Sequence, residues 1–427
     1  ETVWDKALHT AVGLANFIPS GRGKPKPDDD PLGHVHPITV CHRCRSVGHQ
    51  HGPNPPVACP ECSAAGEEFS SIKLAEPNGF RSAYRPEDYD GDYTRGQRSS
   101  APRITPDRSQ MAQVDIGAAR AHSGPCDLYF INDNGGSLYR FAPARDKSWI
   151  DVDLWKENKE SGRFWLPSIS ENEAREVALG MAKKTDALLV GPRDWPVGLD
   201  LLPFDAGRRG AWYSFGFLLR IVATRQLDIG LEELNVGYSV RQVDARPVVD
   251  VFLSDQLDNG AGYSTHLGGA TELNDLLNGT DDYVARTLAR PPHDQCESSC
   301  YQCLRDYFNS MYHPLLDWRL GRDLLDLVLG RPLDTGQWED AEQSLAKSFT
   351  EDFEGHPISL DGKVSAVATG SNVLIVRHPF ESPTHDDDYY SAPDHPGYHD
   401  DDDYDPASGY YDDSASGYYD DSASGYY

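Results

Sequence analysis

The apolar positions of this chain fall in short blocks whose period changes from segment to segment. Over residues 1–20, Trp4, Leu8, Ala11, Val12, Ala15 and Ile18 recur at helical spacing and predict one amphipathic helix. A Pro-, Gly- and charge-rich linker follows, to residue 34. Residues 85–109 hold few apolar anchors and read as an irregular excursion. The runs CDLYFIN and SLYRF flank Asn134-Gly135 and predict a hairpin over 127–141. From residue 186 the pattern is that of an α/β body. Residues 187–190 read as a short strand, and 212–227 as a helix apolar almost all round and therefore buried. Residues 234–243 and 248–253 read as strands joined by a turn, and 271–289 as a helix with Thr271 as its N-cap. Residues 314–330 form an amphipathic helix pattern ending on Gly330. A weaker helix over 336–353 and strands over 364–368 and 373–376 complete the body.

Composition changes this picture at one end. The chain has 427 residues and only 38% hydrophobic positions, against roughly 45–50% for an average soluble protein. The deficit is concentrated in residues 385–427, which hold 13 Asp, 10 Tyr and no Lys or Arg. Without them the formal charge moves from -29 to -16, so the body is only mildly acidic. The tail repeats SGYYDDSA at residues 408–415 and 416–423, and so little aliphatic content predicts a disordered acidic arm. No apolar run is long enough to span a membrane. The start has no signal-peptide pattern, and these two features point to the cytoplasm. The first residue is Glu1, not Met, so the chain reads as a fragment or a processed piece. The negative charge argues against a protein that holds nucleic acid by bulk electrostatics alone.

Seven of the eight Cys lie in two clusters, a pattern that points to metal in a reducing compartment. Cys41 and Cys44 form one CxxC knuckle, Cys59 and Cys62 the other, fourteen residues apart. Two such knuckles bring four thiolates to one tetrahedral zinc. The second cluster holds Cys296, Cys300 and Cys303 within eight residues. Three sulfurs need a fourth donor. His293 is the nearest imidazole, His313 the next, and Asp294 a harder oxygen donor less suited to thiolate company. Two zinc ions are therefore expected. Cys126 stands alone and reads as a core thiol, and His42, His49 and His51 as loop residues.

A third feature follows the strand at 248–253. Asp250, Asp255 and His266 near Gly260 and Gly262 could build a hydrolytic metal site, or the glycines could simply shape a strand-to-helix turn. No Lys occurs between Lys184 and Lys347, which weakens a nuclease reading. The Gly-Lys pairs at 23–24 and 362–363 lack the rest of a phosphate-cradling loop, and no HExxH or GxSxG is present.

The stretch DVFLSDQLDNGAGYSTHLGG (250–269), with HDQCESSCYQCLRDYFNSMYHPLLDWRLGRDLL (293–325), resembles the MrfA-associated zinc-binding (MZB) domain family. More loosely, the ribbon at 41–62, EPNGFRSAYRPEDYDGDY (76–93), INDNGG (131–136) and VLIVRHPF (373–380) look like the segments that flank this domain. The family's four-Cys form reads CxCxxxCxxC. Cys296, Cys300 and Cys303 match its last three positions, and Asp294 stands at the first, which raises the weight of His293.

The resemblance implies the C-terminal region of a superfamily 2 DEAD/DEAH-type helicase, or a DrmB-like subunit of a DISARM phage-defence system. The chain itself has neither a Walker lysine loop nor a DEAD/DEAH box. The expectation is thus a mixed α/β body with an N-terminal zinc ribbon, a second zinc knuckle and a disordered tail. Its segments are 1–34 (helix and linker), 35–66 (ribbon), 67–185 (β-rich connection), 186–332 (MZB-like), 333–384 (helix and strand pair) and 385–427 (tail). The expected role is non-catalytic support of a helicase core, in cis or in trans, in DNA repair or phage defence. Arg43, Arg45 and Arg305 are the expected DNA contacts. Two alternatives are a metal-dependent nuclease on Asp250, Asp255 and His266, and an interaction scaffold regulated by the acidic tail.

Overall fold

The computed structural model describes residues 13–14, 35–50, 54, 56–76, 80–81, 101–134, 136–145, 149–161, 168–194, 198–243, 246–353, 355–360, 364–369 and 372–381. The tail expected over 385–427 lies outside them, as does most of the helix expected over 1–20. Within that helix, Gly13–Leu14 is a short strand, β1. It is held from both sides by strand pairing, which overrides a marginal helical pattern.

The fold is mixed α/β, as the sequence predicts. In chain order the strands after β1 are β2 (Val35–Cys41), β3 (Val47–His49), β4 (Phe69–Ala75), β5 (Phe80–Arg81), β6 (Arg103–Pro106), β7 (Ala112–Ile116), β8 (Ala119–Asn132), β9 (Tyr139–Pro143) and β10 (Trp149–Asp151). Helix α1 (Val152–Ser161) and the long strand β11 (Arg175–Pro192) follow. The second half holds α2 (Ala206–Leu227), β12 (Leu234–Val243), β13 (Arg246–Asp255), α3 (Tyr263–Leu267), α4 (Ala270–Tyr283), α5 (Trp318–Val328) and α6 (Glu339–Asp352). A separate three-stranded sheet, β14 (His356–Leu360), β15 (Val364–Thr369) and β16 (Asn372–Ile375), closes the described chain.

Strand β11 is the spine of the large sheet. It pairs antiparallel with β8 along residues 179–192, with β13 along 187–190 and with β9 along 175–177, and parallel with β4 at 178–179. This corrects two expectations. The short strand at 187–190 is the apolar end of an 18-residue strand. The hairpin over 127–141 does not form: β8 and β9 lie end to end along β11 instead of pairing with each other. The excursion at 85–109 also contains a strand, β6, which pairs with β8 at 126–129.

Helix α2 fills the centre of the core. Asp205 caps its first turn by accepting from the Arg208 N–H at 2.8 Å. Asp228, in the left-handed region, ends it. Trp212, Phe215, Leu218 and Leu219 are fully buried, each contributing about 1.5–3 kcal/mol on burial. Gly216 lets the helix lie on the sheet: a Cβ there would meet Val236 and Val251 at 2.5 and 2.6 Å. Two boundaries differ from the pattern reading. Helix α4 begins after Gly269, not on a Thr271 cap. Helix α5 starts at Trp318, capped by Asp317, because residues 307–315 with Pro314 form a 3-10 segment.

The last described segment is tied to α5 through a buried pair. The His378 Nδ1 accepts from the Phe380 N–H at 3.1 Å, so Nε2 carries the proton and donates to Asp323 Oδ2 at 3.0 Å. Trp338 Nε1 donates to the same oxygen at 2.9 Å. Replacing His378 with Ala is expected to cost about 2–4 kcal/mol, from a lost buried hydrogen bond plus a cavity. A urea unfolding midpoint unchanged from wild type would show that this tie carries no stability.

Candidate metal centres

Strand β2 ends on Cys41, and the turn that follows brings Cys44 back beneath it. The Cys44 N–H points at Cys41 Sγ at 3.4 Å, and the Cys41 N–H closes the turn on the Ser46 carbonyl at 3.0 Å. The second knuckle repeats the design: Glu61 N–H to Cys59 Sγ at 3.4 Å, and Cys59 N–H to the Ala64 carbonyl at 2.8 Å. The residue after each second cysteine is left-handed, Arg45 at φ 63 and Ser63 at φ 60. The facing sulfurs lie 3.6 Å apart, Cys41 with Cys62 and Cys44 with Cys59. A tetrahedral zinc with bonds near 2.3 Å sets an edge of about 3.8 Å, so the group fits. Sulfurs this close cannot all ionise without a cation among them. Hydrogen bonds from Cys41 and Cys44 hold the Cys59 thiol well below its ordinary range, and those to Cys41 and Cys59 push Cys44 far above it.

The second group assembles where the 3-10 turn His293–Gln295 meets the Cys300–Cys303 knuckle. The His293 Nδ1 lies 3.6 Å from Cys300 Sγ and 4.0 Å from Cys296 Sγ. The Cys300 N–H points at Cys303 Sγ at 2.9 Å. In each group the four donor atoms lie within 4.8 Å of one another, so each could hold one metal ion. Of the three candidates for the fourth donor, only His293 stands in the group. His313 is engaged elsewhere, its Nε2 lying 3.0 Å from the Asp306 carbonyl and 2.9 Å from Asn309 Oδ1.

Both groups belong to the core around α2. Ribbon and body are also clamped by polar contacts: Arg103 donates to the Cys41 carbonyl at 3.3 Å, and Gln242 donates twice to Glu61. An aromatic path runs from the first knuckle to the 3-10 segment that follows the second. The Arg45 guanidinium sits 6.0 Å from the Tyr238 ring, Tyr213 packs on Tyr238 at 5.4 Å, and Tyr213 packs on Tyr312 at 4.4 Å. Cys126 is a core thiol, buried with Ile104, Leu128 and Phe252 and pushed up to about 12 by that burial. His49 contacts Asp127 and Tyr129 rather than the sulfurs.

The proposed hydrolytic trio is not brought together. Asp250 is fully buried between two guanidiniums, Arg120 and Arg241, each at 2.8 Å. Asp255 organises the following turn, accepting from the N–H groups of Ala261, Tyr263 and Ser264 and from the Ser264 hydroxyl. Gly260 and Gly262 supply the left-handed backbone that turn needs, at φ 74 and 82. His266 is exposed. Both carboxylates are therefore structural.

The expected DNA-contact arginines divide. Arg43 is exposed and lies over Phe204 at 4.4 Å. Arg45 donates to the Ala101 carbonyl, and Arg305 to Ser298 and Ser299. Sequence reasoning missed the Arg120–Asp250–Arg241 triad and the Asp323–His378 pair. The one signal for the triad was an Asp in the middle of an apolar strand.

No helix among the described residues is long and apolar enough to cross a membrane. No family model matches the chain. It is 30% identical over 173 residues to the Druantia protein DruE of Escherichia coli (strain UMEA 4076-1), a match covering 38% of this chain and 9% of DruE. Among solved structures it matches the crystal structure of the DUF1998 helicase MrfA bound to DNA, at 10% identity and a TM-score of 0.31. That overlap covers 54% of this chain and 24% of the MrfA chain, so the chain spans a small part of either protein. The residues at 250–269 and 293–325 carry the resemblance of the chain to the MZB domain family, and the DruE match is a separate likeness over 173 residues.

Proposed function

We propose that the chain is the non-catalytic, zinc-binding C-terminal module of a prokaryotic superfamily 2 DNA helicase. It acts in the cytoplasm in DNA repair or phage defence, within a split helicase or in trans. The observation that carries this reading is the pair of four-donor groups built into one core. Cys41, Cys44, Cys59 and Cys62 bind one zinc, and His293, Cys296, Cys300 and Cys303 the other. Four protein donors at each ion leave no open position for a water or substrate, the mark of a structural site. The burial of both groups against α2 supports a role in setting a rigid surface. Of the three expected contacts, Arg43 is the one exposed to reach a phosphate.

Elemental analysis of the purified chain tests the metal reading. About two zinc per chain are expected, falling to about one in Cys41→Ser and in Cys296→Ser. One zinc, lost only in Cys41→Ser, would remove the second centre. Unwinding of forked DNA by a cognate helicase core tests the role: it should rise when the chain is added, and less so with Cys296→Ser. An unwinding rate indifferent to the chain would end the helicase reading.

A further inference from the structure

Beside the 3-10 segment Tyr307–Leu315 the surface opens into a cavity of about 460 Å³, within the range of specific binding pockets. Its walls include Phe308 and Met311 from the 3-10 segment Tyr307–Leu315, Leu257 from the turn after β13, and Glu232 and Glu233 from the turn before β12. The apolar members are unusually open: Leu257 is 55%, Phe308 53% and Met311 36% exposed, and the neighbouring Tyr307 is 84% exposed. Single exposed apolar residues are ordinary, but three lining one concavity mark an interaction site.

The chemistry of the walls narrows the occupant. Glu232 and Glu233 form no ion pair with any described residue, so among these residues the rim's two carboxylates have no counter-ion. They would repel a phosphate backbone and attract Lys or Arg. Among the described strands β12 pairs with β13 alone, and its first residues, Leu234–Val236, line the cavity. A strand edge of this kind is a common place for an extended peptide.

We propose that this cavity docks a polypeptide partner: a segment inserting one large aliphatic or aromatic side chain, flanked by Lys or Arg that pair with Glu232 and Glu233. The inference deepens the helicase-module reading, and rests on it only in supplying the module with a protein partner. The Arg220–Asp306 ion pair would then do a second job, tying the docking wall to the second knuckle and so making the cavity's shape depend on the metal centre.

The test uses the full chain, fluorescence anisotropy and three labelled probes. These are a short peptide with a central Leu-Trp flanked by Lys and Arg, the same peptide with Glu and Asp in the flanks, and oligothymidine. The basic peptide is expected to bind, and Phe308→Ser to weaken it at least about tenfold, since Phe308 is exposed and its loss spares the core. The double variant Glu232→Lys with Glu233→Lys should lose the basic peptide and gain the acidic one. Zinc content equal to wild type confirms that each variant is folded. No binding of the basic peptide, or equal binding by all three proteins, overturns the proposal. Oligothymidine binding that Phe308→Ser weakens assigns the cavity to nucleic acid and overturns it as well. Because the readout is peptide binding, its failure leaves the zinc and unwinding results standing, and their failure leaves the cavity's peptide affinity untouched.

Discussion

Replacing Cys44 with Ser is expected to unfold far more than its own knuckle. Cys44 has no solvent exposure and sits in the same apolar cluster as Trp212, Phe215 and Val251. Structural zinc in small domains contributes on the order of 10 kcal/mol, comparable to the whole net stability of a typical domain, about 5–15 kcal/mol. Serine in place of one thiolate breaks the tetrahedral donor set and leaves three sulfurs that repel one another as they ionise. Cys126→Ser is the control, since that thiol is as buried but touches neither metal group. The expected result is a loss of about 5 kcal/mol or more for Cys44→Ser, with one zinc missing, against about 1–2 kcal/mol for the control with both retained. Thermal melts followed by near-UV circular dichroism, paired with zinc analysis, read both. Equal melts for the two variants would mean that the first centre does not hold the core.

The aromatic path through Tyr238, Tyr213 and Tyr312 gives that loss a direction. Arg45 is the residue after Cys44, and Tyr312 lies on the segment that follows the Cys300–Cys303 knuckle. A ribbon that lets go of its ion releases Arg45 from Tyr238. Tyr213, packed between Tyr238 and Tyr312, then loses the support of one of its two ring neighbours. The two metal groups, 231 to 262 residues apart in sequence, share one apolar cluster around α2.

Both metal groups are legible in the chain of residues because knuckle chemistry is local: the CxxC spacing and the three-Cys cluster state it directly. The fourth donor is legible in part: His293, three residues before Cys296, is favoured over His313 by sequence, and it stands in the group. The other part is a hydrogen-bond partner of His313, Asn309, that only folding supplies. The buried helix, read as 212–227 and observed from 206, and the strands read as 234–243 and 248–253 are legible from their dense apolar positions. Strand β11 is not, because its middle reads GMAKKTD and breaks the pattern where one face meets solvent. The missed pairing of β8 has a different cause. Asn134 does take the left-handed conformation of a turn, at φ 57, but a turn does not choose a partner. Fourteen register pairs with β11 outweigh a short local hairpin. The carboxylates of the hydrolytic alternative fail for a related reason. Proximity in sequence places Asp250 and Asp255 on one strand, while two arginines from β8 and β12 and a set of turn N–H groups take their oxygens.

Asp250→Ala is accordingly expected to cost about 3–5 kcal/mol and to leave no nuclease activity to lose. The substitution strands two guanidiniums, Arg120 at 9% and Arg241 at 7% exposure, each deprived of its carboxylate oxygen at 2.8 Å. Leaving buried charge unpaired, not losing the pair's own attraction, sets that magnitude. The backbone offers little relief, since Asp250 Oδ1 is tight enough against Gly191 that a Cβ there would meet it at 2.5 Å. The pair also sets a pH signature. Burial alone would raise the Asp250 carboxyl, but Arg241 and Arg120 hold it below its ordinary value of 3.8. The unfolded chain therefore takes up this proton first as pH falls. The contribution is complete above about pH 5 and is lost as pH drops through the folded value. Wild type and Asp250→Ala should differ most near neutrality and converge in acid. Urea midpoints taken from pH 7 down to pH 3 check this. A constant gap between the two proteins across that range would mean that Asp250 is held by shape and not by charge.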